Sequence, residues 1–256
     1  MRAKADELDI LWQSDDAVAV AKPAGLATIP GRDDKECVLQ RLAEQLGLPC
    51  SGAADPRLRV VHRLDKGTSG VLLFAKNSDA QRHLSHQFQN NTISKEYLAL
   101  VVGRPAQSEG EIDAPLDRHP TSPKRMAVVK HGGRPARTLW RVEQTFREFT
   151  LLRVFPKTGK THQIRVHLLS IGLPLAIDPL YHAPHPGTAP GIYLSHLKRD
   201  YRPTAGEPER PLIDRLTLHA EKLRFVDRQG AEVEVVCPPP KDFRATIKQL
   251  GRWGNA

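Results

Sequence analysis

Short apolar runs bounded by turn residues mark the first third of the chain. Ala17–Ala21 is stopped by a Lys-Pro-Ala-Gly segment, and Val71–Ala75 is too short and too uniformly apolar to be a surface helix. Both runs therefore predict buried strands. Val38–Leu46 instead has its apolar residues at helical spacing, and Gly47 provides a C-terminal stop.

The rest of the pattern predicts three more helices and five more strands. The helices are one capped by Ser78 or Asp79 that runs through Phe88, one capped by Thr161 that runs through Ile171, and one over Asp242–Leu250. The strands are Ile93–Val102, Thr138–Glu143, Phe149–Phe155, Leu216–Phe225 and Ala231–Val236. Because the strands do not alternate strictly with helices, we expect an α+β fold with a mostly antiparallel mixed sheet flanked by helices and loops.

Two stretches interrupt this regular pattern. Asp113–His131 carries three prolines among Arg and Lys residues, which predicts a basic, turn-rich excursion. A Pro-rich segment at about 182–212 predicts a long irregular insertion rather than an interdomain linker. Since domains usually have ~100–200 residues, the 256 residues predict a single domain over 1–256 that contains this insertion.

The charge of the chain indicates which kind of partner it binds. The formal net charge is +9 and the sequence pI is near 9.6, which favours a polyanionic partner, with nucleic acid first among the candidates. Solubility alone is the alternative explanation for this charge. Aromatic residues make up only 5% of the chain, which argues against a broad platform for stacking single-stranded bases.

Hydropathy and cysteine usage exclude other classes. No apolar run reaches the ~18 residues that cross a bilayer, so we expect a cytoplasmic protein without membrane contact. Cys37, Cys50 and Cys237 are far apart and form no CxxC pair. We interpret them as packing thiols, because this spacing fits neither a disulfide framework nor a cysteine zinc site.

The histidines do not form a metal motif. His162 and His167 are five positions apart, which places them on different faces of a helix, and His182 and His185 lie in the Pro-rich insertion without nearby cysteines. The sequence therefore predicts no metal site.

The segment His62–Gly70 holds the clearest candidate for chemistry. It places a single carboxylate, Asp65, between cations in a loop of small residues. An aspartate is ionised at neutral pH and can act as a nucleophile once it is positioned. The alternative for an isolated motif is a loop aspartate that pairs with Arg63 or Lys66 to hold a turn.

Five segments, in this order, resemble motifs of the RluA-type pseudouridine synthases, which isomerise uridine within RNA. The matches are the Lys-Pro-x-Gly-Leu turn within Val18–Leu26, the HRLDxxTSG loop within Val61–Gly70, Lys-x-Tyr-x-Ala within Lys95–Val102, TGxTHQIRVH within Lys157–His167, and Leu-His-Ala-x-x-Leu-x-Phe at Leu218–Phe225. Relatives usually have Gly-His-Pro-Ile-x-Gly-Asp where this chain has Gly172–Asp178 with Ala176 in place of the second glycine. The small N-terminal RNA-binding module of some relatives is not found in the sequence.

The resemblance implies a catalytic role for three residues. Asp65 would be the nucleophile, attacking either C1′ of the ribose or C6 of the base. Arg165, near the amino end of its predicted helix, would form an ion pair with this carboxylate and orient it. Ile164, Leu168 and Ile171 would form the core side of the same helix. Tyr97 would cover the face of the uracil and relay its C5 proton.

The resemblance also suggests residues that bind RNA. A base in folded RNA must leave its stack before it can be modified, and Arg63 would fill the vacated space. Contacts to the RNA backbone are expected from Lys22, His62, Lys157 and Lys160.

The sequence thus predicts an RNA pseudouridine synthase that needs no cofactor. Its partner would be a structured RNA, a stem-loop of rRNA or tRNA, and we expect a monomer without an obligate protein partner. Two alternatives remain: an RNA-binding protein without catalysis, and a nucleoside glycosidic hydrolase, which would need a second acid or base. The pattern does not identify the RNA or the uridine.

Overall fold

The computed structural model describes residues 7–31, 36–50, 56–181, 191–198, 200–202 and 208–253. Its strands are β1 (Ile10–Gln13), β2 (Ala17–Lys22), β3 (Arg59–Val60), β4 (Ser69–Ala75), β5 (Ser94–Val102), β6 (Glu109–Asp113), β7 (Leu116–His119), β8 (Ser122–Val128), β9 (Arg137–Thr145), β10 (Phe149–Pro156), β11 (Leu218–Val226) and β12 (Glu232–Val236). Its helices are α1 (Val38–Leu46), α2 (Ser78–Gln89), α3 (Gln163–Ser170), α4 (Leu194–Leu197) and α5 (Lys241–Trp253).

The chain folds into two compact units. The first contains the described residues up to Tyr97 together with His219–Pro238, and the second contains Leu98–Leu218 and the described residues from Pro239 onward. The first unit is therefore discontinuous in sequence. Strand β5 begins in the first unit and ends in the second.

The first unit is built on a mixed sheet in the order β1-β2-β4-β11-β12. Neighbouring strands are antiparallel except β4 and β11, which are parallel. Both faces of β4 are covered. Leu72 and Phe74 pack with α1, whereas Val71 and Leu73 pack with α2. This two-sided burial explains why the run is uniformly apolar rather than alternating.

The parallel strand pair β4–β11 requires a glycine. Gly70 has φ +123°, and a Cβ built there would lie 2.1 Å from the carbonyl oxygen of Ala220 in β11. The register pairs Ser69 with His219 and Gly70 with Ala220. The end of the Asp65 loop can therefore reach β11 only because residue 70 has no side chain.

The second unit has its own strands and core. β9 pairs antiparallel with β10 on one side and with β6 on the other, and β5 adjoins β10. Strands β7 and β8 form a separate two-stranded ribbon. The core joins strand residues such as Leu100 and Leu151 to Phe243 and Leu250 of α5.

The predicted fold class, a mixed α+β sheet with flanking helices, is confirmed. Helix α1 has the predicted bounds, and Gly47 ends it in the left-handed conformation with φ 63°. The cysteines Cys37, Cys50 and Cys237 are free thiols. Part of the predicted insertion at about 182–212 lies outside the described residues. Within the described part, α4 forms one helical turn and Ile192 pairs with Ile213.

The predicted cap of α2 was wrong, and the predicted excursion contains regular structure. Asn77, not Ser78 or Asp79, caps α2, because its Oδ1 accepts the N–H of Ala80 at 2.8 Å. Asp113–His131 contains the β7–β8 ribbon. Pro123 is tolerated there because a two-stranded ribbon leaves outward-facing N–H positions unpaired.

The helix predicted after Thr161 starts later than expected. α3 begins at Gln163, its capping position is His162 with φ 55°, and that residue makes no side-chain capping bond. Ile171 follows the helix and is 40% exposed, so it does not belong to the core side.

Replacing Gly70 by alanine should lower the free energy of unfolding by at least about 3 kcal/mol. The methyl group would displace β11, and the backbone of residue 70 would be strained by its positive φ. The matched control is Gly230→Ala, since Gly230 also has a positive φ of +86° but open space around its Cβ. That variant should lose only about 1–2 kcal/mol. Urea unfolding of the two variants measures the difference, and equal midpoints would contradict the close approach.

Candidate active site

Asp65 lies in the turn that connects β3 to β4. The N–H of Thr68 donates to the Asp65 carbonyl at 3.0 Å, which closes the turn. Leu64 is buried under this turn, whereas Asp65 itself is half-buried. The loop is therefore anchored on the core side and presents the aspartate toward the surface.

Lys22, at the end of β2, binds the backbone of this turn from its buried side. Its side chain is 1% exposed, and its ammonium donates to the carbonyl oxygens of Lys66 at 3.0 Å, Thr68 at 2.7 Å and Pro23 at 2.8 Å. A buried ammonium is stable only when its hydrogens are satisfied. Lys22 therefore acts as a structural clamp on the two carbonyls that flank the turn, and the predicted contact of Lys22 with RNA is wrong.

Two further contacts fix the start of the turn. The hydroxyl of Thr28 donates to the Leu64 carbonyl at 3.1 Å and accepts the Leu64 N–H at 3.2 Å. The N–H of Gly25 donates to the Lys66 carbonyl at 2.8 Å. The Lys-Pro-x-Gly segment thus packs directly against the Asp65 turn, and this contact explains why the two motifs occur together.

A buried histidine fixes the end of the turn. Nδ1 of His219 lies 2.9 Å from the hydroxyl of Ser69, and its Nε2 lies 2.8 Å from the carbonyl oxygen of Cys237. A carbonyl oxygen can only accept, so Nε2 of His219 donates to Cys237. His219 thus links the Asp65 loop to the residue that follows β12.

Tyr97 belongs to the same unit and packs at the edge of the cluster that contains Leu64. Burial, reinforced by the negative charge of Asp65, raises the pKa of the Tyr97 phenol above its ordinary value. The phenol is therefore neutral at physiological pH and is a hydrogen-bond donor. The structure brings Asp65 and Tyr97 together, within reach of a direct electrostatic interaction.

His62 lies at the start of the Asp65 loop and packs as a neutral ring. Its Nε2 accepts the N–H of Leu73 at 2.9 Å, and its ring stacks on Phe88 with centroids 4.4 Å apart. Burial and the charge of Lys95 lower the pKa of His62 to about 3. The neutral ring packs beside the Asp65 loop, and the predicted contact of His62 with the RNA backbone stays a prediction.

Arg165 lies on α3 in the second unit and is 5% exposed. Its Nε and Nη2 donate to the two carboxylate oxygens of Asp178, each at 2.7 Å, and its Cζ lies 4.9 Å from the centroid of the Tyr181 ring. A two-point bond between planar groups fixes the plane of the guanidinium. Asp178 is held in turn, because it accepts the N–H groups of Leu180 at 2.9 Å and Tyr181 at 3.1 Å.

The other polar residues of the α3 motif have structural partners. Gln163 accepts the N–H of Lys160 at 3.0 Å and donates to the Arg137 carbonyl at 3.0 Å. His167 lies between the Thr138 hydroxyl and the Ala114 carbonyl, and burial lowers its pKa. These side chains shape the loop before α3.

The remaining predicted RNA contacts lie at the surface. Arg63 is exposed in the Asp65 loop, Lys157 is exposed in the loop before α3, and Lys160 is half-buried in that loop. Their contact with RNA stays a prediction, as does the pairing of Arg165 with Asp65.

Sequence reasoning missed Asp178, Tyr181 and the clamp formed by Lys22. A buried role for Lys22 could have been inferred from its position at the end of a wholly apolar strand. Nothing local in the sequence indicates that Asp178 pairs with Arg165, which lies 13 positions away.

No group of three or more possible metal ligands is found among the described residues, and His182 and His185 lie outside them. In the same part of the chain, every helix is too short or too polar to span a membrane.

Replacing Lys22 by methionine should lower the free energy of unfolding by about 2–4 kcal/mol, because three carbonyl oxygens lose their donor while the volume of the stem is retained. Lys130→Met is the control, since Lys130 is exposed, and it should change stability by less than about 0.5 kcal/mol. Urea unfolding of both variants is the measurement. Equal stability of the two variants would show that the clamp is not needed.

His62 predicts a defined pH dependence of stability. Its pKa in the folded protein, about 3, is below the ordinary 6.5, so between these values the unfolded chain binds the proton that the folded chain does not. Stability that is present above pH 6.5 is therefore lost on acidification, by up to about 1.4 kcal/mol per pH unit. His62→Gln retains an acceptor for Leu73 and should lose less stability between pH 6.5 and 4.5.

The control for this experiment is His131→Gln, because His131 is exposed. Urea unfolding at several pH values should give parallel curves for the control and the unmodified protein. If the stability curve of His62→Gln were also parallel to these two curves, the His62 ring would be protonated in the folded state.

Comparison with known proteins identifies the family. The sequence profile described as RNA pseudouridylate synthase matches residues 16–170. Ribosomal large subunit pseudouridine synthase D of Nitrosomonas europaea is 46% identical over 97% of this chain and 67% of its own length. The protein of the same name from Escherichia coli K12 is 35% identical over 95% of this chain and 70% of its own. The chain thus spans about two thirds of the length of these relatives.

Solved structures support the fold. Human RNA pseudouridylate synthase domain containing 4 is 26% identical and superposes with a TM-score of 0.68, covering 95% of this chain and 93% of the other. Human RNA pseudouridylate synthase domain containing 1 gives a TM-score of 0.70 at 24% identity, covering 94% and 86%. The chain therefore belongs to the RNA pseudouridylate synthase family, in its RluA-type branch, and is an isomerase.

Proposed function

We propose that this chain converts uridine to pseudouridine in ribosomal RNA of the large subunit, with Asp65 as the nucleophile. The observation that carries the proposal is the turn at Asp65, whose backbone is held by Lys22, Thr28 and Ser69 while the aspartate itself is only half-buried. The names of the bacterial relatives support the choice of rRNA. An rRNA substrate implies a cytoplasmic enzyme.

The reaction is an isomerisation, so its atoms and electrons balance without a cofactor. The N1–C1′ bond breaks, the uracil turns, C5 bonds to C1′, C5 loses a proton and N1 gains one. A carboxylate can add to C1′ or to C6, and both routes require it to approach the base at a fixed angle. The rigid turn supplies this positioning, and an ionised aspartate needs no further activation.

Tyr97 is proposed to cover the face of the uracil. Its neutral phenol, kept protonated by burial and by the charge of Asp65, is a poor base for the C5 proton. Its ring provides an apolar surface next to the nucleophile, as an extruded base requires. We therefore assign Tyr97 a role in holding the base rather than in removing the proton.

The proposed ion pair between Arg165 and the catalytic carboxylate rests on the family resemblance. What supports it in this chain is the fixed orientation of the guanidinium, because Asp178 binds its Nε and Nη2. A guanidinium held in this way offers an anion a preorganised partner.

Arg63 is proposed to occupy the place of the extruded uridine in the RNA stack. Its exposed position two residues before Asp65 supports this role. Lys157 and Lys160 are proposed phosphate contacts, and the enzyme is proposed to act as a monomer. A stem-loop of tRNA is the competing substrate.

Asp65→Asn should abolish turnover while RNA affinity changes less than about threefold, because phosphate contacts supply most of that affinity. Tritium release from rRNA labelled at C5 of uridine measures turnover, and fluorescence anisotropy measures binding. Asp117→Asn, at an exposed position on β7, is the matched control and should retain full turnover. Substantial tritium release by Asp65→Asn would overturn the assignment.

Product analysis with the unmodified protein separates the alternative functions. An isomerase leaves the mass of the RNA unchanged and yields pseudouridine, a hydrolase releases free uracil, and a binding protein does neither. The same assay with a tRNA stem-loop tests the competing substrate.

A further inference from the structure

Helix α5 carries a stripe of cations on its outer face. Lys241, Arg244, Lys248 and Arg252 are all exposed, and their spacings of three, four and four residues place them within an arc of about 80°. The stripe is about 16 Å long at a rise of ~1.5 Å per residue. The α5 stripe, as we name these four residues, therefore forms one continuous basic edge.

The opposite face of α5 packs in the core. Phe243, Thr246 and Leu250 are buried, and Arg215 fixes the first turn through bonds of 2.6 and 2.8 Å to Asp242. Insertion of a basic helix into a membrane surface needs an available apolar face. In α5 that face is occupied, so the helix presents only charge to a partner.

Several other exposed cations of the chain have acidic partners, unlike those of the α5 stripe. Ion pairs join Arg82 to Asp79, Arg137 to Glu111, and Arg224 to Glu234. Among the described residues, no ion pair is found for the four side chains of the stripe.

This arrangement works against the stability of the helix. Arg244 and Lys248 are like charges at i and i+4, as are Lys248 and Arg252, and such pairs destabilise a helix. Lys241 lies at the amino end, where the helix dipole disfavours a cation. A role in solubility alone does not require cations at these positions, because acidic partners could be interspersed without loss.

The described part of the insertion extends the stripe. Nζ of Lys198, directly after α4, lies 4.8 Å from the centroid of the Trp253 ring, and Cζ of Arg252 lies 4.9 Å from it. The cation–π contact of Lys198 with the exposed indole thus places a fifth cation next to the end of the α5 stripe.

We propose that the α5 stripe is a second RNA-docking surface that binds the phosphate backbone without reading its sequence. This inference rests on the proposed function, because the RNA that docks there is the substrate of the Asp65 site. A row of cations without acidic neighbours matches a polyanion in charge, and each phosphate contact releases condensed counterions. The stripe sets affinity and not the chemical step.

The test variant is Arg244→Gln with Lys248→Gln, because glutamine retains helix propensity. At about 100 mM salt, it should bind an rRNA stem-loop of about 40 nucleotides roughly tenfold more weakly. The slope of log affinity against log salt should become shallower by about 1.5–2. KM should rise with the loss of affinity, while kcat at saturating RNA should stay unchanged.

The matched control removes two exposed cations elsewhere, Arg57→Gln with Arg147→Gln. Equal salt slopes for the two double variants would overturn the proposal, as would a fall in kcat with unchanged affinity. Weaker binding to phosphatidylserine vesicles with unaltered RNA binding would assign the stripe to a lipid surface and also overturn it. If the unmodified protein released no tritium from rRNA, the proposed function itself would fail, and the binding assay would still report on the stripe.

Discussion

The fold of the Asp65 loop depends on one buried ammonium group. Lys22 holds the carbonyl oxygens on both sides of the turn, and its three donors are satisfied by backbone oxygens. A cation in the interior is stable only in such a cage, so its position also dictates where the carbonyls must lie. The backbone of the Asp65 turn is therefore positioned by a buried side chain. Thr28 and Ser69 add fixed points at either end, and the loop has little freedom left between them.

This architecture agrees with the chemical requirements of the proposed nucleophile, Asp65. An aspartate is already ionised at neutral pH, so the protein needs to orient it rather than to change its protonation. The surrounding polar side chains follow the same logic. His62, His167 and His219 are structural links in this chain, because each one bonds to a backbone group or a hydroxyl within a packed environment. These histidines thus support the shape of the segments that they contact.

The sequence predicted those elements whose signal is local. The run Val71–Ala75 and the stop at Gly47 depend on burial and backbone conformation within one element, and both were found where expected. The predicted start of α3 was wrong because Gln163 binds Arg137 and Thr138 of β9, which lie far away in the sequence. These bonds help to hold the residues before α3 in a loop. The clamp role of Lys22 was missed for the same reason. The sequence around a lysine is the same whether its ammonium binds RNA or three carbonyl oxygens. Only the tertiary structure distinguishes the two cases.

The bond between Ser69 and His219 joins positions that are 150 residues apart. Protein synthesis proceeds from the amino end, so the ribosome must complete most of the chain before this anchor of the loop exists. During that interval the turn can have its bonds to Lys22 and Thr28 but lacks the bond between Ser69 and His219. Assembly of the complete loop is therefore postponed until β11 has been synthesised, because β11 follows nearly all of the Leu98–Leu218 segment in the sequence.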